Sequence, residues 1–143
     1  GKNIESEIRG IQVSEKVSFI AKIPEVRNFL VRQQRELGEN GGIVMDGRDI
    51  GTVVFPNADL KLFITASIEE RAKRRFKEYQ DQNNPITLEE VKENLMHRDF
   101  IDQHRDICPL QQADDSVLID NSFLTKEETY QKILEFIKSK LGS

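Results

Sequence analysis

The chain has 143 residues, of which 37% are hydrophobic and 32% are charged, and its formal net charge is −4. This acidic balance argues against a general nucleic-acid binder, which usually carries a basic excess. No stretch approaches the ~20 apolar residues of a membrane span, so we expect neither nucleic acid nor a membrane as a partner. The single cysteine, Cys108, excludes an internal disulfide, suits a reducing cytoplasm and is interpreted as structural.

Two helices are predicted in the first 40 residues. The apolar residues Val13, Val17, Ile20 and Ala21 form the stripe of a first helix. Pro24 stands at a favoured first-turn position, and Gly38 is a typical stop, so the two residues bracket a second helix. The residues expected to face inward in that second helix are Val26, Phe29, Leu30 and Leu37.

Three short apolar runs predict buried strands: Ile43–Met45, Leu60–Ile64 and Val117–Ile119. Because the runs are nearly continuous in apolar residues rather than strictly alternating, they favour a parallel sheet with helices on both faces. The predicted fold class is therefore α/β. A polar segment, Asp81–Pro85, lies between two of the helices and is a candidate mobile flap.

Three helix starts carry the capping-box pattern, in which a hydroxyl residue is followed three positions later by a glutamate. The three pairs are Ser67 with Glu70, Thr87 with Glu90, and Thr125 with Glu128. The last pair opens a helix whose apolar residues are spaced for one core-packed face. Those residues are Tyr130, Ile133, Leu134, Ile137 and Leu141.

The first candidate site follows the first predicted strand, where Asp46, Arg48 and Asp49 alternate with glycines. Ligands of parallel sheets bind beyond the carboxyl ends of the strands, and a guanidinium among glycines suits an anionic ligand. The alternative is an Asp46-Gly47 turn that closes a hairpin. No alternating partner strand follows, so the binding site is favoured.

The second candidate cluster is Arg98, Asp102 and Arg105, which a helix would place on one face at positions i, i+4 and i+7. Two guanidiniums can bind a phosphate or a base edge while the carboxylate accepts from sugar hydroxyls. A solvated face of ion pairs is equally compatible with this spacing. His97 and His104 lack a third ligand at metal spacing and are interpreted as surface residues.

A basic stripe, Arg71–Lys77, leads into the polar flap. Such a stripe usually covers a solvated helix surface. Its position beside a flap also favours contact with a polyphosphate, because arginine stabilises charge on a transferring phosphoryl group. The spacing does not show which of Arg71, Arg74 and Arg75 would make that contact.

The string Asp46–Pro56 closely resembles the signature of bacterial cytidylate kinases, and the resemblance covers essentially the whole chain. The other matching segments are Glu7–Arg9, Ile23–Arg27, Glu69–Arg75, Arg98–Asp99 and Leu118–Asp120. The resemblance implies a P-loop nucleoside-monophosphate-kinase fold: a parallel five-stranded sheet flanked by helices, with a monophosphate-binding insertion and a mobile lid. It also implies transfer of the γ-phosphate of ATP to CMP or dCMP, with Mg²⁺.

The resemblance assigns the first set of charged residues to the nucleoside of CMP. It implies that Ser18, Arg27 and Asp49 read the cytosine base, with Arg105 beside them. The pair that it implies at the sugar is Arg98 and Asp102.

A second set of residues is implied at the phosphates. Arg48 is expected to clamp the CMP phosphate, and Asp46 to lie near Mg²⁺ through a bound water. The loop after Asp120 is expected to form a wall of the adenine pocket. The expected catalytic residues are Asp46, Arg48 and the lid arginines Arg71, Arg74 and Arg75.

The 143 residues depart from the family pattern because they contain no Gly-x-x-x-x-Gly-Lys-Ser/Thr loop. In the family this loop and its strand precede the matching region. We therefore expect one partial kinase domain over residues 1–143, lacking the N-terminal P-loop strand. Residues 1–40 would be the helical monophosphate-binding part and 41–143 the core, with a lid near 76–100.

Such a partial domain is expected to be inactive alone and to associate with itself, whereas the full-length enzyme is expected to be a monomer. Two alternatives stand beside this interpretation. One is a non-catalytic module that binds CMP. The other is an ordinary helical α/β protein whose charged clusters only solubilise it.

Overall fold

The computed structural model describes residues 3–4, 8, 11–82 and 84–142, so Glu7 and Arg9 of the family resemblance lie outside the described residues. The described part is rich in helix and contains a small parallel sheet. Its elements are α1 (Ile11–Ala21), α2 (Pro24–Leu37), a π-helix (Ile50–Val54), β1 (Leu62–Thr65), α3 (Ile68–Asp81), α4 (Leu88–His104), β2 (Val117–Asp120) and α5 (Lys126–Leu141).

The sheet consists of β1 and β2, which pair in parallel with Leu62 opposite Val117 and Thr65 opposite Asp120. A parallel pair needs a long crossover connection, and here α3 and α4 provide it. The predicted parallel pairing is thus confirmed. The strand predicted over Leu60–Ile64 begins two residues later than expected.

The strand predicted over Ile43–Met45 is wrong. The segment has no regular secondary structure, and Val44 is 99% exposed. A strand is stable only where its N–H and C=O groups pair with a neighbouring strand. Within the described residues β1 and β2 pair only with each other, so the apolar run has no neighbour to pair with.

The caps predicted for α4 and α5 are confirmed as complete capping boxes at Thr87 and Thr125. Backbone and side-chain hydrogen bonds from Thr125 lower the pKa of Glu128. The Ser67 box is only half formed, because its hydroxyl accepts from the Glu70 amide while its own amide donates to Ser122.

The predicted bounds of α2 are confirmed, with Pro24 in its first turn and Gly38 as its C-cap. A β-carbon at residue 38 would lie 2.4 Å from the Phe55 ring, so glycine permits this close approach. The predicted inward face is wrong, since Phe29 and Leu37 are exposed. Arg27 and Val31 are buried instead, because α2 turns that side toward the π-helix.

The predicted stripe of α1 is also wrong as a buried face. Val13, Val17 and Ile20 are exposed, whereas Ser18 is 2% exposed. Helix α1 packs against α2 and α4. The apolar pattern alone therefore misidentified the packed side of this helix.

The hydrophobic core lies between α3 and α4, where Ala72, Tyr79 and Val91 are buried and Phe76 and Leu95 pack against them. Helix α5 is less buried than predicted, because Tyr130 is exposed and Ile133 is only half-buried. No helix within the described ranges is both long and apolar enough to cross a bilayer.

Replacing Val91 with alanine should lower the free energy of unfolding by about 2 kcal/mol, because it removes two buried methyl groups and leaves a cavity. Val91 is 1% exposed at the α3–α4 contact. Urea denaturation followed by circular dichroism measures the change. Met96→Ala, at a 54% exposed position of the same helix, is the control and should cost less. Equal losses in the two variants would contradict this location of the core.

Candidate functional site

Five charged residues form a row of alternating sign, which we call the Arg–Asp chain. The Arg27 guanidinium donates to Asp49 Oδ2, and Arg105 Nη2 lies 3.8 Å from Asp49 Oδ1. Arg105 Nη1 lies 4.0 Å from Asp102 Oδ1. The other oxygen of Asp102 accepts from Arg48 Nε at 3.1 Å. The chain runs Arg27, Asp49, Arg105, Asp102 and Arg48. The structure thus brings these five predicted ligand residues into one cluster.

Burial makes this row energetically important. The first four members are all less than one tenth exposed, whereas the Arg48 side chain is 47% exposed. A buried ion is tolerated only with opposite charges close by. Arg48 therefore forms the solvent-facing end, through which a ligand would enter.

Arg98 joins the same site electrostatically. Burial lowers the pKa of Arg98, the positive charge of Arg48 lowers it further, and Asp102 acts in the opposite direction. With Arg98 included, the residues named here are four arginines and two aspartates, so arginines outnumber carboxylates in this set. Such an excess matches a dianion, for example a phosphomonoester.

The backbone after Asp49 fixes the position of this carboxylate. The Asp49 carbonyl accepts from the Val53 and Val54 amides at 2.8 and 3.2 Å, which begins the π-helix. Single π-helical turns occur frequently at functional sites. No hairpin forms here, so the alternative interpretation of Asp46-Gly47 is wrong.

Arg35 is a site-forming residue that the sequence analysis missed. Its guanidinium donates to the Val53 and Val54 carbonyls at 2.6 and 3.1 Å, which ties the end of the π-helix to α2. Arg27 and Arg35 are eight positions apart in α2, which places them about 80° apart around the helix axis, within one broad face. This spacing is the one sequence signal that could have linked Arg35 to the site, although it does not show which carbonyl groups accept its hydrogen bonds.

The predicted location of Arg105 within a helix is wrong. Helix α4 ends at His104, and Arg105 is its C-cap residue in an extended conformation. The Arg105 Nε donates to the Cys108 carbonyl at 2.6 Å. The side chain still reaches Asp102, because the chain turns back after the helix end.

Ser18 is buried on α1, which packs against α2 and α4, the helices that carry Arg27 and Asp102. Asp46 is exposed and precedes the site loop. The described residues contain no group of three or more histidine, cysteine or acidic side chains that could hold a metal ion. His97 and His104 are exposed, as predicted, and contact Phe19 and Phe100 respectively.

The three predicted lid arginines hold protein groups outside the Arg–Asp chain. Arg71 pairs with Asp99 at 2.7 Å. Arg74 donates to the side chain and carbonyl of Asn121, at 2.9 and 2.7 Å. Arg75 pairs with Glu78 and lies 4.6 Å from the centre of the Tyr79 ring.

The fold and this cluster together define the class of the protein: a parallel α/β protein with a buried, arginine-rich polar site. Comparison with known families makes this more specific, because the family model described as cytidylate kinase matches residues 1–139. The chain belongs to the cytidylate kinase family.

The chain is also similar to curated proteins named cytidylate kinase. It is 55% identical to one from Flavobacterium johnsoniae, over 96% of this chain and 60% of that protein. It is 53% identical to one from Parabacteroides distasonis, over 100% of this chain and 62% of that protein. It is 49% identical to one from Geobacillus thermodenitrificans, over 99% of this chain and 63% of that protein. The chain thus spans about three fifths of the length of these relatives.

Asp49→Asn should lower the free energy of unfolding by roughly 3 kcal/mol, because two buried guanidiniums lose their shared counter-charge. Chemical denaturation of both proteins measures the difference. Glu78→Gln is the matched control: its partner Arg75 is also an arginine, but Glu78 is exposed, so the loss should stay within about 0.5 kcal/mol. An Asp49 variant as stable as the control would show that the Arg–Asp chain does not hold the fold together.

Proposed function

We propose that the whole protein transfers the γ-phosphate of ATP to CMP or dCMP, giving ADP and CDP or dCDP. In this proposal the present chain contributes the residues that recognise CMP. The observation that carries the proposal is the Arg–Asp chain, which brings Arg27, Asp49, Arg105, Asp102 and Arg48 together from three separate segments. The family membership supports the same reaction.

The buried end of the site suits a cytosine base. Cytosine carries an amine donor beside ring-nitrogen and carbonyl acceptors, so it needs a carboxylate next to donors. Asp49 supplies the carboxylate, and Ser18 and Arg27 supply donors. Two buried donors, Arg27 Nε and Arg105 Nη2, make no hydrogen bond within the described part of the chain. A base that satisfied such donors would bind in preference to one that left them unpaired.

The solvent-facing end of the site suits the sugar and the phosphate. Asp102 accepts from Arg48 through one oxygen, and its other oxygen can accept from a sugar hydroxyl. Arg48 and Arg98 then lie on the phosphate side, where their positive charges oppose each other until an anion binds. Arg48 is half-exposed and can therefore clamp the phosphate without breaking a buried contact.

The chemistry proposed for these residues is binding and orientation. Phosphoryl transfer depends mainly on alignment and on positive charge around the transferring group. Asp46, a single exposed carboxylate, fits water-mediated contact with Mg²⁺, which keeps most of its waters and binds phosphates directly. When bound, the ion would neutralise charge on the phosphates.

The proposal extends to the lid, the adenine side of the site and the assembly state of the protein. The lid near residues 76–100 would bring Arg71, Arg74 or Arg75 to the phosphates of ATP, and the loop after Asp120 would border the adenine. Residues 1–40 would form the monophosphate-binding part and 41–143 the core. A cytoplasmic location and a monomeric full-length enzyme belong to the same proposal. The isolated chain would self-associate through its sheet, where Ile64 and Leu118 are exposed.

Calorimetric titration of the 143-residue chain should show tighter binding of CMP than of UMP. Arg48→Gln should weaken CMP binding by about tenfold, because one charge-assisted contact to phosphate is lost. Arg32→Gln, at an exposed arginine of α2, is the control and should change nothing. Absence of binding, or equal effects of the two variants, would favour the alternative in which the charged clusters only solubilise the protein.

A coupled assay of ADP formation should show no CMP-dependent turnover by the 143-residue chain alone, since its sequence contains no Gly-x-x-x-x-Gly-Lys-Ser/Thr loop to cradle ATP phosphates. CMP binding without turnover is the result expected of a non-catalytic CMP-binding fragment, the second candidate function. Turnover comparable to that of the Flavobacterium johnsoniae relative, assayed in parallel, would contradict the proposed division of roles.

A further inference from the structure

Cys108 has an unusual backbone conformation beside the site. Its φ angle is 54°, in the left-handed region that residues with a β-carbon rarely adopt. The next residue is Pro109, and a residue before proline is normally driven to an extended conformation. Two local preferences are therefore overridden at one residue. Backbone strain of this kind persists only where the surroundings hold it, and it concentrates at functional sites.

The contacts that hold this conformation both lead to the Arg–Asp chain. The Cys108 carbonyl accepts from Arg105 Nε at 2.6 Å. Two residues later the Leu110 amide donates to the Asp102 carbonyl at 2.7 Å, which closes the turn onto the end of α4. The turn over residues 105–110 is thus anchored by the two residues of α4 and its C-cap that belong to the site.

The carbonyl of Cys108 determines the orientation of the Arg105 guanidinium. A guanidinium is planar, so fixing Nε leaves its two terminal nitrogens little freedom. In this orientation Nη1 lies 4.0 Å from Asp102 and Nη2 lies 3.8 Å from Asp49. The arginine therefore spans the two carboxylates, with Nη2 buried and making no hydrogen bond within the described residues.

We infer that the left-handed backbone at Cys108 is the positioning element for Arg105, which it holds between the base-side carboxylate Asp49 and the sugar-side carboxylate Asp102. The inference rests on the proposed function for the identity of the ligand, but not for the hydrogen bond itself. The thiol takes no part, because the acceptor is the backbone carbonyl. Cys108 is a positioning residue and does not touch substrate.

Three substitutions separate the backbone from the side chain. Cys108→Gly adopts positive φ without strain and should preserve the turn. Cys108→Ala removes the thiol but keeps the same β-carbon, so it should behave as the wild type. Cys108→Val is β-branched, and positive φ is strongly disfavoured for it. The valine variant should therefore relax the turn and withdraw the carbonyl from Arg105.

Two readouts report on the position of Arg105. The first is hydrogen exchange of the Arg105 Nε–H, followed by NMR, which should be slow in the wild type and in the Gly and Ala variants. It should become as fast as that of exposed Arg32 in Cys108→Val. The second is the ratio of CMP to UMP affinity, which should fall about tenfold in Cys108→Val, since Asp49 loses its fixed neighbour. A general loss of stability would instead weaken the binding of CMP and of UMP by the same factor.

Each outcome decides a different statement. Retention of both slow exchange and the affinity ratio by Cys108→Val would overturn the positioning role. So would fast exchange of Arg105 Nε–H in the wild type, which decides the matter even if the valine variant does not fold. If the exchange of Arg105 Nε–H becomes fast only in Cys108→Val, but the wild-type chain binds no CMP, the positioning role would be supported and the proposed function refuted.

Discussion

The carboxylate of Asp49, buried between two guanidiniums, is the constraint on which the rest of the structure depends. A buried charge is costly unless opposite charges lie close to it, and Asp49 obtains them from two distant parts of the chain. Arg27 comes from α2, and Arg105 comes from the turn after α4. Helix α2, the π-helix and the end of α4 must therefore assemble around one carboxylate. The same contacts that complete the fold also create the polar site.

The site contains more arginines than aspartates, and this links its packing to the anionic ligand that we propose. Arginines outnumber carboxylates among these residues, and the positive charge of Arg48 adds to burial in lowering the pKa of Arg98. A bound dianion would remove that repulsion, so ligand binding and stability should be linked. Because only Arg48 is strongly exposed, the anion is expected at this end and the uncharged part of the ligand deeper, near Asp49.

Local sequence signals predicted the helix bounds well, whereas features that depend on residues far apart in the chain were not predicted. Pro24, Gly38 and Thr125 act within one turn, so their helix bounds follow from nearby sequence. The Ile43–Met45 strand needed a partner strand, which its own residues cannot supply. The ionic residues that the family-like motifs singled out lie in contact with one another in the structure. Arg35 was not predicted and Cys108 was predicted only to be structural, because both contacts have a backbone carbonyl as acceptor, which no side-chain pattern reveals.

Arg71 and Arg74, two of the arginines predicted to belong to a lid, differ in the contacts that they would have to leave. The Arg71–Asp99 pair is partly exposed, and exposed pairs contribute only about 0–1 kcal/mol. Arg74 instead donates to Asn121 and also to the Leu124 carbonyl, which fixes the loop after β2 to α3. Moving Arg74 to a phosphate would release that loop. Moving Arg71 would break its ion pair with Asp99 and the hydrogen bond from its Nε to the Ala66 carbonyl at 3.2 Å, but it would leave the loop after β2 in place.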